Sequence, residues 1–156
     1  MNVGLLTAPF RNESLEYVVS FASEAGFAAL EVAGAHIDPT QLTSQRAKEI
    51  TALLKENGVE ISSLASYMNT VDPDPEKRKA GIAYLKSAVD AAVMLGVEVV
   101  CTLGGHPVPG KDKMQTIEED MPEVFEPVVE YAAQKGIKIA LENWFATNLQ
   151  GLAHFD

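Results

Sequence analysis

A carboxylate stands directly after an apolar segment in the C-terminal part of the chain. Glu142 follows the run IKIAL at 137–141, whose composition is typical of a buried β-strand. Because burying an unpaired carboxylate is costly, Glu142 is expected to meet a metal ion, a cation or a substrate. A structural ion pair or a cap for the following loop is the alternative. The next two residues, Asn143 and Trp144, are candidate substrate contacts at the same strand end.

Two further polar residues lie where predicted strands end. Glu31 follows the apolar run FAAL, and His106 lies in LGGHPVPG, where two glycines allow close approach of the backbone. An imidazole there can serve as a metal ligand, a general base or a donor to substrate. We predict that Glu31 and His106 bind substrate. The alternatives are that Glu31 is a hydrogen-bond acceptor that ties neighbouring loops together and that His106 is an exposed surface residue. His36 and His154 are weaker candidates.

Several other kinds of chemistry lack the residues that they need. The chain has no G-x-G-x-x-G or G-x-x-x-x-G-K-[ST] motif, and no Ser/His/Asp or Cys/His set can be assembled from spacing. The single cysteine, Cys101, excludes a disulfide framework and a multi-cysteine zinc site. We predict that Cys101 is a small buried packing residue with no neighbouring base to lower its pKa.

The charge of the chain excludes two classes of partner. Its 156 residues include 12 Lys+Arg and 22 Asp+Glu, which gives a formal net charge of −10. Sequence-independent binding to nucleic acid or to an anionic membrane depends on clustered basic residues, so we expect neither. The sequence shows no signal peptide and no apolar run of membrane-spanning length. Together with the single cysteine, these features predict a soluble, cytoplasmic protein.

The elements that would position these residues follow a unit that recurs four times. Each unit has an amphipathic stretch, then a glycine that can end a helix in the left-handed conformation, then an apolar run. Start signals agree, since Asp74 precedes Pro75 and Thr116 forms a capping box with Glu119. The pattern predicts strands at 2–7, 28–32, 60–65, 97–103 and 137–142, and helices at 13–25, 41–57, 75–95 and 117–135.

Strands that alternate with helices predict one parallel sheet with right-handed crossovers, and two architectures fit. A five-stranded doubly wound open sheet would need a ligand crevice, often with a phosphate loop or an acidic cluster at its first strand, which residues 7–10 lack. We favour a parallel (β/α) barrel of the TIM type. Residues 1–156 would then form a single domain with the first five strands and four helices of eight, an incomplete barrel.

Four features of the sequence resemble the sugar phosphate isomerase/epimerase family of the xylose-isomerase-like barrel superfamily. They are IALENW at 139–144, LGGHP at 103–107, ALEV at 29–32 and the apolar strand starts after glycine. The resemblance implies that Glu142 binds a divalent metal, commonly Mn²⁺ or Mg²⁺, and moves a proton, with the remaining ligands beyond residue 156. It also matches His106 to a histidine that binds metal or substrate in some members, and Glu31 to an acid near substrate.

The resemblance implies isomerisation or epimerisation of a small sugar, a sugar phosphate or a hydroxy-ketone through an enediolate. Because only Glu142 of the expected pair of glutamates is present, we expect this chain to be inactive alone. A lyase of the inosose dehydratase kind is one alternative. A non-catalytic half-barrel that self-associates as a homo-oligomer is another, since open sheet edges favour association. An apurinic endonuclease is disfavoured by the net charge and by the lack of a histidine after the third strand.

Overall fold

The sheet of the computed structural model, which describes residues 2–155, contains five parallel strands in sequential order. They are β1 (Gly4–Leu6), β2 (Ala29–Ala33), β3 (Glu60–Ser66), β4 (Val99–Leu103) and β5 (Lys138–Glu142). Each strand pairs with the next one in the chain, so the sheet winds in a single direction. A doubly wound sheet would reverse its strand order part-way across. The predicted partial barrel of the TIM type is therefore confirmed, and the open-sheet alternative is wrong.

Helices cover the outer face of this sheet. They are α1 (Leu15–Glu24), α2 (Ser44–Asn57), α3 (Pro75–Leu95), α4 (Lys113–Glu119) and α5 (Met121–Gln134), with short 3-10 turns at Ala8–Phe10 and Leu152–His154. Asp74 caps α3 by accepting a hydrogen bond from the Glu76 N–H, and Pro75 occupies the first turn, as predicted. Within the described residues, no helix combines the length and apolar character needed to cross a membrane.

The fourth predicted helix, 117–135, is two helices that meet at Asp120. The predicted capping box at Thr116 is also wrong, because α4 begins earlier and Asp112 forms the capping box with Gln115. Pro122 lacks an N–H and is best tolerated in the first turn of a helix, which favours a restart there, although α5 also contains Pro127 in its interior. The Asp120 carboxylate at this break lies 2.6 Å from Lys111 Nζ, and this ion pair fixes the junction to the preceding loop.

The core lies between the sheet and the helices. Val18, Val89 and Val100 are fully buried there, and a second cluster beneath α5 is centred on Leu85 and Val128. In β4 the outward residues are buried and the inward ones are only half-buried, so the inner face of the sheet is the open one. Apolar burial on one face thus leaves the inner face and the strand ends for polar groups.

The left-handed glycine that ends α2 offers a test of the cap. Gly58 has φ = 66°, and a Cβ added there would meet no atom within 4 Å. Gly58→Ala should therefore lower the free energy of unfolding by about 1 kcal/mol through backbone strain alone. Urea denaturation measures the change. The matched control is Gly151→Ala, where φ is −128° and the space is also open. A control as destabilising as Gly58→Ala would contradict this explanation.

Candidate functional site

The carboxyl ends of the strands surround a pocket of about 430 Å³. Its walls include Glu142 at the end of β5, Trp144 after β5, His106 after β4 and Tyr67 after β3. Because parallel strands end at one edge, residues far apart in sequence meet here. The predicted residues Glu142, His106 and Trp144 are thus brought together in one concave site. Asn143 is exposed and does not line the pocket.

Glu142 occupies the last position of β5, in register with Leu103 of β4. Its Oε2 atom is buried and has no hydrogen-bond partner among residues 2–155. A buried carboxylate oxygen without a donor is unfavourable in a folded chain, so the arrangement suits a cation or a bound donor. Since an oxygen ligand of this kind is what Mg²⁺ and Mn²⁺ prefer, Glu142 fits a divalent-metal ligand.

Glu31 lies beside Glu142 but has protein partners. Tyr67 donates a hydrogen bond to Glu31 Oε1, and Ser63 Oγ donates to Oε2 at 3.2 Å. Candidate ligand atoms of Glu31, Cys101 and Glu142 all lie within 4.8 Å of one another. Two carboxylates and a thiol therefore share one small volume on the inner face of the sheet.

Sequence reasoning missed Tyr67 and misjudged Cys101. Tyr67 directly follows β3. Polar residues after other strands were selected as candidates because of this same position, so the signal for Tyr67 was present in the sequence. Cys101 is half-buried rather than fully buried, because alternation in β4 turns it to the inner face. Its register with Ala140 of β5, two residues before Glu142, brings it next to the carboxylates.

Burial and negative charge shift two pKa values in this cluster. Burial is the main cause that raises the pKa of Tyr67 above its ordinary value, and the neighbouring carboxylates of Glu142 and Glu31 add to it. Burial also raises the pKa of Cys101 to about 11, with the Glu31 charge as the next cause. Both groups therefore remain protonated near neutral pH, so Tyr67 acts as a donor and Cys101 is a thiol rather than a thiolate.

His106 is oriented by the segment that follows β5. Its Nδ1 lies 2.8 Å from the carbonyl oxygen of Ala146, which can only accept a hydrogen bond. In the neutral ring the proton is therefore on Nδ1, and Nε2 is left as an acceptor or a metal ligand. The Asn148 side-chain amide donates to the carbonyls of Gly104 and His106 at 2.9 and 3.2 Å. No local pattern in the sequence indicated this role of Asn148.

The loop that carries His106 also requires glycine. Gly105 has φ = 70°, and an added Cβ would lie 2.6 Å from the Val71 side chain. The His106 N–H donates to Asn69 Oδ1 at 3.0 Å, which joins this loop to the one after β3. The segments after β3, β4 and β5 are therefore interlocked behind the pocket.

The family model that describes xylose isomerase-like TIM barrels matches residues 19–155. The chain belongs to this family. The family resemblance seen in the sequence is thereby confirmed, and the polar cluster lies at the end of the barrel strands where TIM-barrel chemistry is found. No functionally curated protein is significantly similar to the chain in sequence.

Solved structures share this fold of the xylose isomerase-like family. The probable 3-DHS dehydratase AsbF of Bacillus anthracis is 21% identical with a TM-score of 0.80, covering 99% of this chain and 57% of that one. D-psicose 3-epimerase of Clostridium cellulolyticum H10 is 22% identical with a TM-score of 0.75, covering 96% and 55%. A Mycobacterium smegmatis protein in complex with magnesium is 17% identical with a TM-score of 0.77, covering 99% and 58%. The chain thus spans little more than half the length of these structures.

The remaining histidines lie outside the pocket of this xylose isomerase-like barrel. His36 Nε2 is 3.1 Å from the Phe10 carbonyl oxygen, while its buried Nδ1 has no partner among the described residues. His154 Nδ1 accepts hydrogen bonds from the N–H groups of Gln150 and Gly151. Neither histidine lines the site, in keeping with their weaker standing in the sequence.

A second cavity of about 400 Å³ lies away from the strand ends, against the outer side of α5 and β5. Its walls include Met121, Phe125, Val129 and Leu141, and its charged groups are carboxylates on α5. It lacks the convergent polar groups of the strand-end pocket, so the strand-end pocket is the candidate site.

Alkylation of Cys101 by iodoacetamide tests the electrostatics of the site, since only the thiolate reacts. In the folded chain the alkylation rate should rise with pH, with its midpoint at a pH of about 11. An unperturbed cysteine has its midpoint at about 8.5. Glu31→Gln removes a negative charge that raises this pKa, so its midpoint should be lower and its alkylation faster at mildly alkaline pH.

The matched control for this measurement is Glu60→Gln, an exposed carboxylate at the opposite end of the sheet. It should leave the pH midpoint of Cys101 alkylation unchanged. An identical midpoint in the wild-type chain and in Glu31→Gln would contradict the assigned charge effect.

Proposed function

We propose that this chain supplies the strand ends of a divalent-metal-dependent isomerase or epimerase that acts on a small sugar, a sugar phosphate or a hydroxy-ketone. The observation that carries the proposal is the buried Oε2 of Glu142, which has no donor among the described residues and borders a pocket that also contains His106. The magnesium complex of a structural neighbour and the D-psicose 3-epimerase fold support the same class of chemistry.

Glu142 is the residue that would hold the metal, with Mn²⁺ or Mg²⁺ as the proposed ion. A bound divalent ion withdraws electron density from a substrate carbonyl and makes the neighbouring C–H more acidic. Glu31 is less suited to be a direct ligand, because Tyr67 and Ser63 already donate to its two oxygens. The Cys101 thiol is protonated and is a softer donor than these ions prefer.

The other residues of the pocket have separate roles in this proposal. If Oε2 of Glu142 holds the metal, the other oxygen of its carboxylate would accept the proton from the carbon next to the carbonyl. His106 Nε2 accepts a hydrogen bond from a substrate hydroxyl, since Ala146 holds the Nδ1 proton. Trp144 is 43% exposed and forms an apolar wall against which a sugar ring can pack.

A lyase that expels a hydroxyl group with the same metal is the second candidate. The fold similarity to a probable dehydratase with a TM-score of 0.80 supports it. The two reactions differ in their products, because an isomerase or epimerase conserves the substrate formula whereas a dehydratase releases water.

Metal binding is the direct test of the role of Glu142. Titration of the chain with Mn²⁺, followed by the electron paramagnetic resonance signal of the free ion, should show a bound ion. Glu142→Gln should weaken the affinity by more than about tenfold, since even residues that only orient ligands have effects of this size. The control is Glu98→Gln, a carboxylate with an 80% exposed side chain near the amino end of β4. Equal affinities for wild type and Glu142→Gln would refute the assignment.

The chain by itself should not convert a ketose to an isomer or an epimer in the presence of Mn²⁺. The reaction needs a second acid–base group to return the proton. Within the described part of the chain, Glu142 is the single carboxylate that lines the pocket, Glu31 beside it is engaged by Tyr67 and Ser63, and His106 is assigned to the substrate hydroxyl. Fructose, psicose and tagatose incubated with the chain and Mn²⁺ should be recovered unchanged by nuclear magnetic resonance. Formation of any ketose product would show that a second proton-transfer group is present.

A further inference from the structure

A smaller cavity of about 290 Å³ adjoins the candidate site on the side of β2 and β3. Ala8 and Tyr67 line both the smaller cavity and the pocket that contains Glu142. The other side of the cavity is formed by Arg11, Gly34 and Tyr84. The two spaces are therefore adjacent, as the binding of one ligand across both of them would require.

Small residues keep this cavity open. Gly34 follows β2 in the stretch 33–35, where every residue is alanine or glycine. A Cβ at Gly34 would lie 2.9 Å from the hydroxyl oxygen of Tyr84, closer than ordinary van der Waals contact. Any larger residue at this position would therefore displace the Tyr84 hydroxyl or fill the space beside it.

Two of the polar side chains at the cavity, those of Arg11 and Tyr84, are donors that the protein itself leaves unused. Arg11 is exposed, and it forms no ion pair within the described residues. Tyr84 is half-buried. Its pKa is raised mainly by burial and secondly by the negative charge of Asp38, and no hydrogen bond contributes to the shift. The Tyr84 hydroxyl therefore keeps its proton and can donate it to a ligand oxygen.

The carboxylates near the cavity are already occupied. Asp38 accepts hydrogen bonds from the backbone N–H and the hydroxyl of Thr40 at 2.9 and 2.8 Å. Glu31 accepts from Tyr67 and Ser63. Arg11 is the cation among the lining residues, and no lining residue is acidic. The lining itself therefore carries a single positive charge, on Arg11, although the whole chain carries a formal charge of −10 and Asp38 and Glu31 keep their negative charges nearby.

We propose that this cavity is an anion subsite, in which Arg11 pairs with a carboxylate or phosphate group of the substrate and Tyr84 donates a hydrogen bond to it. The inference rests on the proposed function for the nature of the substrate, because the anion would be the far end of the molecule whose carbonyl lies near Glu142. A guanidinium with a neighbouring hydroxyl donor matches the oxygens of either anion. Binding of the anion itself requires no metal.

The experiment titrates the metal-free full chain with inorganic phosphate and, separately, with malonate, using amide chemical shifts around Arg11 and Tyr84 at constant ionic strength. One or both anions should bind, and the arm with the higher affinity identifies the preferred group. Arg11→Gln should weaken this binding by about tenfold, the scale of a hydrogen bond to a charged group. The control is Arg46→Gln, since Arg46 is paired with Glu16 on the outer helices.

Gly34→Ala is the second variant, because it leaves every charge in place and narrows only the cavity. This variant should lower the affinity for the same anion at least several-fold, and thermal unfolding should show that the chain remains folded. Failure of both anions to bind, or an affinity unchanged in Arg11→Gln or in folded Gly34→Ala, would overturn the subsite.

Mn²⁺ affinity separates this inference from the proposed function. Arg11→Gln should bind Mn²⁺ as the wild-type chain does, because Arg11 lines only the smaller cavity. Anion binding that depends on Arg11, combined with Mn²⁺ binding that does not depend on Glu142, would support the subsite and remove the metal-dependent function. Mn²⁺ binding that depends on Glu142, without any anion binding, would support the metal-dependent function and overturn the subsite.

Discussion

All five strands of the sheet are parallel and follow one another in sequential order, so every crossover must return the chain to the same edge. The helices of these crossovers bury apolar side chains on the outer face of the sheet, and the inner face remains for smaller and polar groups. Tyr67 and Glu142 meet because they follow β3 and end β5 at this edge. Glu31 joins them from the middle of β2, rather than from its predicted place at the strand end, and lies level with the last residue of β1. The site is thus a consequence of parallel pairing.

The two carboxylates of the site differ in how the protein satisfies them. Glu31 has two donors, Tyr67 and Ser63, and is held in one orientation. Glu142 has a buried oxygen with no donor among the described residues. Candidate ligand oxygens of Glu142 and Glu31 lie within 4.8 Å of one another. Like charges this close repel one another, and a cation or a transferred proton relieves the repulsion. This asymmetry makes Glu31 a fixed acceptor and leaves Glu142 open to a ligand.

The rigidity of the pocket comes from loops that hold one another. The His106 loop receives the Asn148 side chain from the segment after β5 and bonds to Asn69 from the segment after β3. Gly105 allows this approach because no Cβ fits against Val71. Functional groups on loops need such support, since an imidazole that is free to turn cannot keep one nitrogen directed at a substrate.

The sequence by itself determined the alternation of strands and helices, because apolar periodicity and left-handed glycine caps act over a few residues. It also indicated Glu142 and His106, since a polar residue after an apolar strand can be recognised without knowing its neighbours. The anchoring of the helix break at Asp120 and the approach of Tyr67 and Cys101 to the carboxylates were decided only by the tertiary structure. They depend on an ion pair with a loop outside the helix and on the register between strands, and neither is encoded in local spacing.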